Sequence, residues 1–166
     1  MDQAPAFFVY GTLRADQPEH RRFCPPGMKS VSARIPGELY QLPQGYPILA
    51  LRPERLLARA AGRDGKEWEA ARKSAPPAGG LELEPGERWI EGELLVGPWE
   101  AESIARMDAW EGFRPGRSAL YQRGVAWTLD GAGAARLAWV YASLRRPPGA
   151  RRLDAARWER PSFLGG

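Results

Sequence analysis

The chain has 166 residues, 43% hydrophobic and 27% charged, enough for one domain with a sizeable core and no disulfide staple. Glycine and proline, 19 and 16 residues, make up about a fifth of it, too many turns for a simple helical bundle. A single cysteine, Cys24, and a single histidine, His20, exclude an internal disulfide, Cys₂ or Cys₄ zinc sites and two-histidine metal motifs.

Residues 6–10, Ala-Phe-Phe-Val-Tyr, read as a buried strand stopped by Gly11. Residues 33–42 suggest a strand bent at Pro36-Gly37. A turn at 43–45 follows, then a strand over 46–51. Residues 52–88 read as a surface elaboration of one or two short helices, with helix formers at 54–61 and 67–73 and breakers at 62–65 and 76–80. Strand character returns over 89–96. Residues 99–110 predict a helix with Ile104 and Met107 on its apolar stripe and Gly112 as its stop. Residues 120–129 alternate as a strand, Asp130-Gly131 turns, and 136–143 supplies the last strand. Five or six strands around one inserted helix predict an α+β fold built on a small mixed β-barrel.

The domain organisation expected is a unit over 1–144 with the helical insert at about 52–88, followed by an Arg-rich tail over 145–166. That tail holds six arginines against Asp154 and Glu159, so it carries a net +4, the charge of the whole chain. A uniformly basic nucleic-acid surface is not indicated. Trp158 and Phe163 predict that the tail packs back across the barrel near a pocket mouth, with an arginine available to an anionic leaving group. No run approaches the ~18 apolar residues of a membrane span, and the first apolar stretch is too short for a signal peptide. A soluble cytoplasmic protein is expected.

Two features carry chemistry. In Val9-Tyr10-Gly11-Thr12-Leu13-Arg14 a strand runs into a Gly-led turn, which can aim successive backbone N–H groups at a carboxylate or phosphate. In Asp108-Ala109-Trp110-Glu111-Gly112 a carboxylate sits at a helix end between Trp110 and Phe113, where apolar neighbours raise its pKa toward the range of a general base. Each alone has a bland reading, a common strand turn and a solvated glutamate. His20 reads as a surface loop residue, and Cys24 as structural.

Taken in order with Gly37-Glu38-Leu39-Tyr40, Gly45-Tyr46-Pro47, Glu91-Gly92-Glu93-Leu94, Leu120-Tyr121-Gln122-Arg123 and Val140-Tyr141, these motifs resemble the γ-glutamylcyclotransferase-like superfamily, nearest its AIG2-like and γ-glutamylamine cyclotransferase branch. The resemblance implies a cofactor-free, metal-free enzyme. It would close a γ-glutamyl substrate into 5-oxoproline and release an amine or amino acid. It implies Glu111 as the proton shuttle and Tyr10, Gly11, Thr12, Leu13, Tyr121 and Tyr141 as substrate-binding residues. The other reading is a non-catalytic domain that binds a small carboxylate or regulates a partner. The leaving amine and the oligomeric state are not written in the sequence.

Overall fold

The structure is a computed structural model that describes residues 5–76, 81–115 and 120–164. The expected breakers at 77–80 lie outside those residues. At the centre is the aromatic strand β1 (Ala6–Val9), every residue of which is buried. Strand β2 (Lys29–Gln41) is followed by β3 (Pro47–Ala50), β4 (Ala58–Arg59), β5 (Arg88–Val96), β6 (Gln122–Asp130), β7 (Ala135–Ala142) and β8 (Arg151–Arg152). β1 lies antiparallel to β5 and parallel to β7. β7 pairs with β6, and β2 joins β5 on one side and touches β6 at Ala33 and Arg34. The ring β2-β5-β1-β7-β6 is therefore closed, a five-stranded mixed barrel, with β3, β4 and β8 added at its margins. The fold is α+β, as the sequence predicts.

The bend read at Pro36-Gly37 has a clear physical role. Up to Gly37 the strand pairs with β5; from Glu38 it pairs with β3. A ring this small leaves little room inside. Ala33, Ala126, Ala138 and Ala142 face the interior beside Phe8, Tyr10, Ile35, Ile90 and Leu94. A Cβ on Gly92 would stand 2.3 Å from the Val9 carbonyl oxygen, so glycine is required by that close approach. The larger Phe7, Trp68, Met107, Phe113, Trp139 and Tyr141 pack outside the ring, under the helices.

Among the described residues three helices flank the barrel: α1 (Glu19–Phe23), α2 (Lys66–Ser74) and α3 (Ala101–Glu111). α2 buries Trp68 and Ala71, as an amphipathic helix must. The helix expected over 54–61 does not form. Residues Pro53–Arg55 make a 3₁₀ turn, and β4 then pairs with the outer side of β6. The amides of Leu57 and Ala60 donate to Val125 and Arg123 carbonyls at 2.8 and 2.7 Å, so an open strand edge outweighs local helix propensity. α1 has only five residues, too few for a periodic signal.

Beyond Leu144 the chain lies on the barrel. β8 pairs with the end of β2, Leu153 N–H donates to the Leu39 carbonyl, and Ala156 accepts from Glu91. Trp158 is fully buried within the inner core. Phe163 is different: it remains 68% exposed, with its ring edge over Gly45. The tail arginines meet acids of the body. Arg157 pairs with Asp16 at 3.3 Å and Arg160 with Glu19 at 2.6 Å. No helix among the described residues is long and apolar enough to cross a membrane.

Candidate active site

β1 and β7 run parallel and β6 enters antiparallel, so the C-terminal ends of the first two and the start of the third share one end of the barrel. There the chain opens a cavity of about 310 Å³ lined by the 10–13 loop, Leu42, Tyr46, Pro47, Trp110, Glu111, Tyr121 and Tyr141 among others. That volume suits a small metabolite. All seven residues singled out from the sequence, Tyr10, Gly11, Thr12, Leu13, Glu111, Tyr121 and Tyr141, line this one cavity.

The loop is a tight turn closed by Arg14 N–H donating to the Gly11 carbonyl at 3.2 Å. The amides of Gly11, Thr12 and Leu13 meet no acceptor among the described residues, which leaves three donors for an anion. Gly11 is not in the left-handed conformation that favours glycine. It is needed for space instead, because a Cβ there would stand 2.5 Å from Pro47 Cγ. Thr12 Oγ1 accepts the Trp110 indole N–H at 3.0 Å, tying the loop to α3.

The three tyrosine hydroxyls are committed to the scaffold. Tyr10 donates to the Tyr141 carbonyl at 2.9 Å and accepts from Leu49 N–H at 3.1 Å. Tyr121 donates to the Pro47 carbonyl at 2.6 Å, and Tyr141 to Asp108 Oδ1 at 2.6 Å. Burial is the first cause that holds all three phenols above their ordinary pKa, so they act as neutral walls.

Glu111 is the last residue of α3, which Gly112 stops in the left-handed conformation at φ 71°. Its carboxyl group meets no hydrogen-bond donor or cation among the described residues. Burial in the cavity wall, then the nearby Asp108 carboxylate, push its pKa up to about 8. One turn back, Asp108 is fully buried and saturated. Arg123 Nε reaches Oδ1 at 2.9 Å, Arg63 Nε reaches Oδ2 at 2.9 Å, and Tyr141 completes the set. The motif reading missed Arg63 and gave Arg123 no role, although it closes the motif at 120–123, because ion pairs 15 or 45 residues apart have no local spacing signal.

His20 and Cys24, read as bland, both stand behind the loop: His20 Nδ1 is 2.8 Å from the Leu13 carbonyl oxygen and Cys24 Sγ 4.0 Å from it. Burial raises the Cys24 thiol to about 12, far from a thiolate nucleophile. No arginine of the tail lines the cavity, so the expected contact with an anionic leaving group is absent among the described residues.

Comparison with known proteins fits this geometry. The sequence profile of the family "Gamma-glutamyl cyclotransferase, AIG2-like" matches residues 7–63, which include the 10–13 loop and Pro47. No curated protein matches the chain by sequence. Among solved structures, an AIG2-like protein from Mus musculus superposes with a TM-score of 0.52 at 15% identity, covering 95% of this chain and 90% of that one. An uncharacterized protein from Pyrococcus horikoshii gives 0.50 at 15% identity, with 93% and 89% covered. YkqA from Bacillus subtilis gives 0.53 at 15% identity; it covers 94% of this chain, which spans only 40% of YkqA. The chain thus carries the γ-glutamylcyclotransferase-like fold and, over residues 7–63, the sequence signature of the AIG2-like family.

Proposed function

We propose that the protein is a γ-glutamyl cyclotransferase in which Glu111 moves the protons. The observation that carries this reading is a carboxyl group with a pKa of about 8 facing the same small cavity as three open backbone donors. The loop amides of Gly11, Thr12 and Leu13 hold the carboxylate at the glutamyl end of the substrate, and Tyr10, Tyr121 and Tyr141 wall it in. Folding the substrate so that its α-nitrogen abuts its own γ-carbonyl supplies several kcal/mol through orientation alone.

Glu111 in its ionised form takes a proton from the α-ammonium. The freed nitrogen lone pair attacks the γ-carbonyl carbon, closing a five-membered ring with an oxyanion. Glu111 returns a proton to the γ-amide nitrogen, the C–N bond breaks, and 5-oxoproline remains. Overall, two protons pass from the α-nitrogen to the departing nitrogen, which leaves as an ammonium. General acid–base work of this kind is worth about 10²–10⁴-fold. Because the tyrosine hydroxyls are committed to the scaffold and the loop amides to the carboxylate, the Thr12 hydroxyl, which only accepts from Trp110, is the donor left for the oxyanion.

The test is mass-spectrometric screening of γ-glutamyl amines, γ-glutamyl dipeptides and glutathione for 5-oxoproline release. Turnover of one class, lost in Glu111→Gln, is the expected result. Tight binding of 5-oxoproline with no turnover of any class would favour the carboxylate-binding domain instead.

A further inference from the structure

The five-residue helix α1 touches the candidate site at two points and is gripped by the tail at a third. Its first contact is His20. The peptide group between Leu13 and Arg14 is bonded at both ends: its N–H donates to the Gly11 carbonyl at 3.2 Å, and its carbonyl oxygen lies 2.8 Å from His20 Nδ1. Since a carbonyl only accepts, Nδ1 must carry the proton in that contact. The final peptide of the turn is thereby fixed in plane, and with it the concavity formed by the amides of Gly11, Thr12 and Leu13.

The second contact is Phe23, stacked on Trp110 at 4.7 Å with 19° between the rings. Trp110 precedes Glu111 and donates its indole N–H to Thr12. His20 and Phe23, three residues apart on one face of α1, therefore brace the anion loop and the end of α3 together. The third contact comes from the tail. Arg160 holds both Glu19 carboxylate oxygens at 2.6 and 2.7 Å and Gln17 Oε1 at 2.9 Å, and its guanidinium lies 5.8 Å from the buried Trp158 ring. Trp158 fixes Arg160, Arg160 fixes α1, and α1 sets the loop against the carboxylate.

We propose that His20 is a positioning residue for the loop that holds the glutamyl end, with Arg160 of the tail as the clasp that keeps it in place. The role needs a donor at Nδ1 and no proton transfer, so neutral and charged imidazole serve equally. This inference rests on the cyclotransferase reading for its catalytic consequence, but not for its effect on the loop.

The experiment compares wild type, His20→Ala, His20→Asn and Arg160→Met, using 5-oxoproline as the binding probe. The amide ¹⁵N–¹H signals of Gly11, Thr12 and Leu13 report the loop directly. Asparagine places an amide N–H near the position of Nδ1. His20→Ala should weaken 5-oxoproline about tenfold, the cost of one unpaired buried acceptor, and shift the three loop signals. His20→Asn should recover most of both losses, and Arg160→Met should move both in the same direction by about threefold. With a γ-glutamyl substrate that the wild type turns over, the loss should fall on KM more than kcat, and the pH profile should keep its midpoint in every variant.

Wild-type affinity and unshifted loop signals in His20→Ala would overturn the proposal. So would a His20→Asn no better than alanine together with a lost limb of the pH profile, which would make His20 a proton carrier. Should His20→Ala fail to fold, His20→Asn and Arg160→Met still decide, because unshifted loop signals in Arg160→Met would overturn the clasp. Absence of 5-oxoproline release by the wild type would sink the enzymatic reading, while the binding and amide data would still decide the role of His20.

Discussion

α3 ends in two carboxylates whose surroundings treat them in opposite ways. Asp108 is sealed from water and receives Arg123, Arg63 and Tyr141. Glu111 faces the aromatic cavity, and its carboxyl group meets no donor among the described residues. The two residues are one helical turn apart. The difference teaches that the wall of this cavity is rigidified by a satisfied ionic network, while the group aimed into it is left free to gain and lose a proton. The negative charge of Asp108 also raises the proton affinity of Glu111.

The largest expected effect comes from breaking the network around Asp108. Arg123→Met takes from Asp108 its one fully buried cation, leaving Arg63 and Tyr141, and removes a guanidinium that also lies 4.7 Å from the Trp139 ring. It should cost about 3–5 kcal/mol of stability in denaturant unfolding. A loss below 1 kcal/mol would mean that the network is not holding the wall.

Next in size is the open carboxylate. Glu111→Gln should lower turnover by about 10²-fold or more, roughly 2.7 kcal/mol of barrier, while 5-oxoproline still binds. The same variant has a distinct stability signature. Native Glu111 keeps its proton up to about pH 8, whereas in the unfolded chain the group ionises at about 4.3. Its contribution to stability is therefore fully present below about pH 4 and is lost as pH rises to about 8. Wild type should lose stability relative to Glu111→Gln across that window, as read from urea midpoints. Parallel curves would place the carboxyl group in water.

A smaller effect is expected in the loop. Gly11→Ala forces a Cβ to within 2.5 Å of Pro47 Cγ, so one of the two must move, at a cost of about 1–3 kcal/mol. Because both line the cavity, calorimetry should show weaker 5-oxoproline binding together with a modestly lower Tm. Unchanged affinity would separate the loop from the ligand.

The smallest effect belongs to a second buried arginine. Arg14 is fully buried, yet its guanidinium makes no hydrogen bond among the described residues and lies 3.3 Å from Asp16. Burial, then the neighbouring Arg157, lowers its pKa. A burial that is not compensated by hydrogen bonds is replaceable, so Arg14→Met should be neutral to slightly stabilising in the same unfolding assay. A loss comparable with that of Arg123→Met would erase the contrast between satisfied and unsatisfied charge.

The barrel was legible in the sequence where one strand alternates over many residues. In β6, Val125 and Trp127 face the outer layer, and Ala126 faces inward. The loop and Glu111 were legible because each sits beside a glycine that marks where an element stops. What escaped was made by contact between distant segments. α1 is too short to show a period, β4 is an edge pairing that displaces helix formers, and the Asp108–Arg123 pair joins two motifs whose spacing does not say that they meet. The need for glycine at position 11 also escaped, because it comes from Pro47 on another strand. Phe163 was read as an anchor because apolar burial is favourable, but only Trp158 finds a cavity in the core.

The pH dependence of kcat/KM for 5-oxoproline release, measured on wild type and Glu111→Gln side by side, tests the proton-shuttle role most directly. The account predicts that wild-type activity falls tenfold per pH unit below a midpoint near 8, and that this limb is absent from the residual activity of the variant. The same limb with the same midpoint in Glu111→Gln would contradict it.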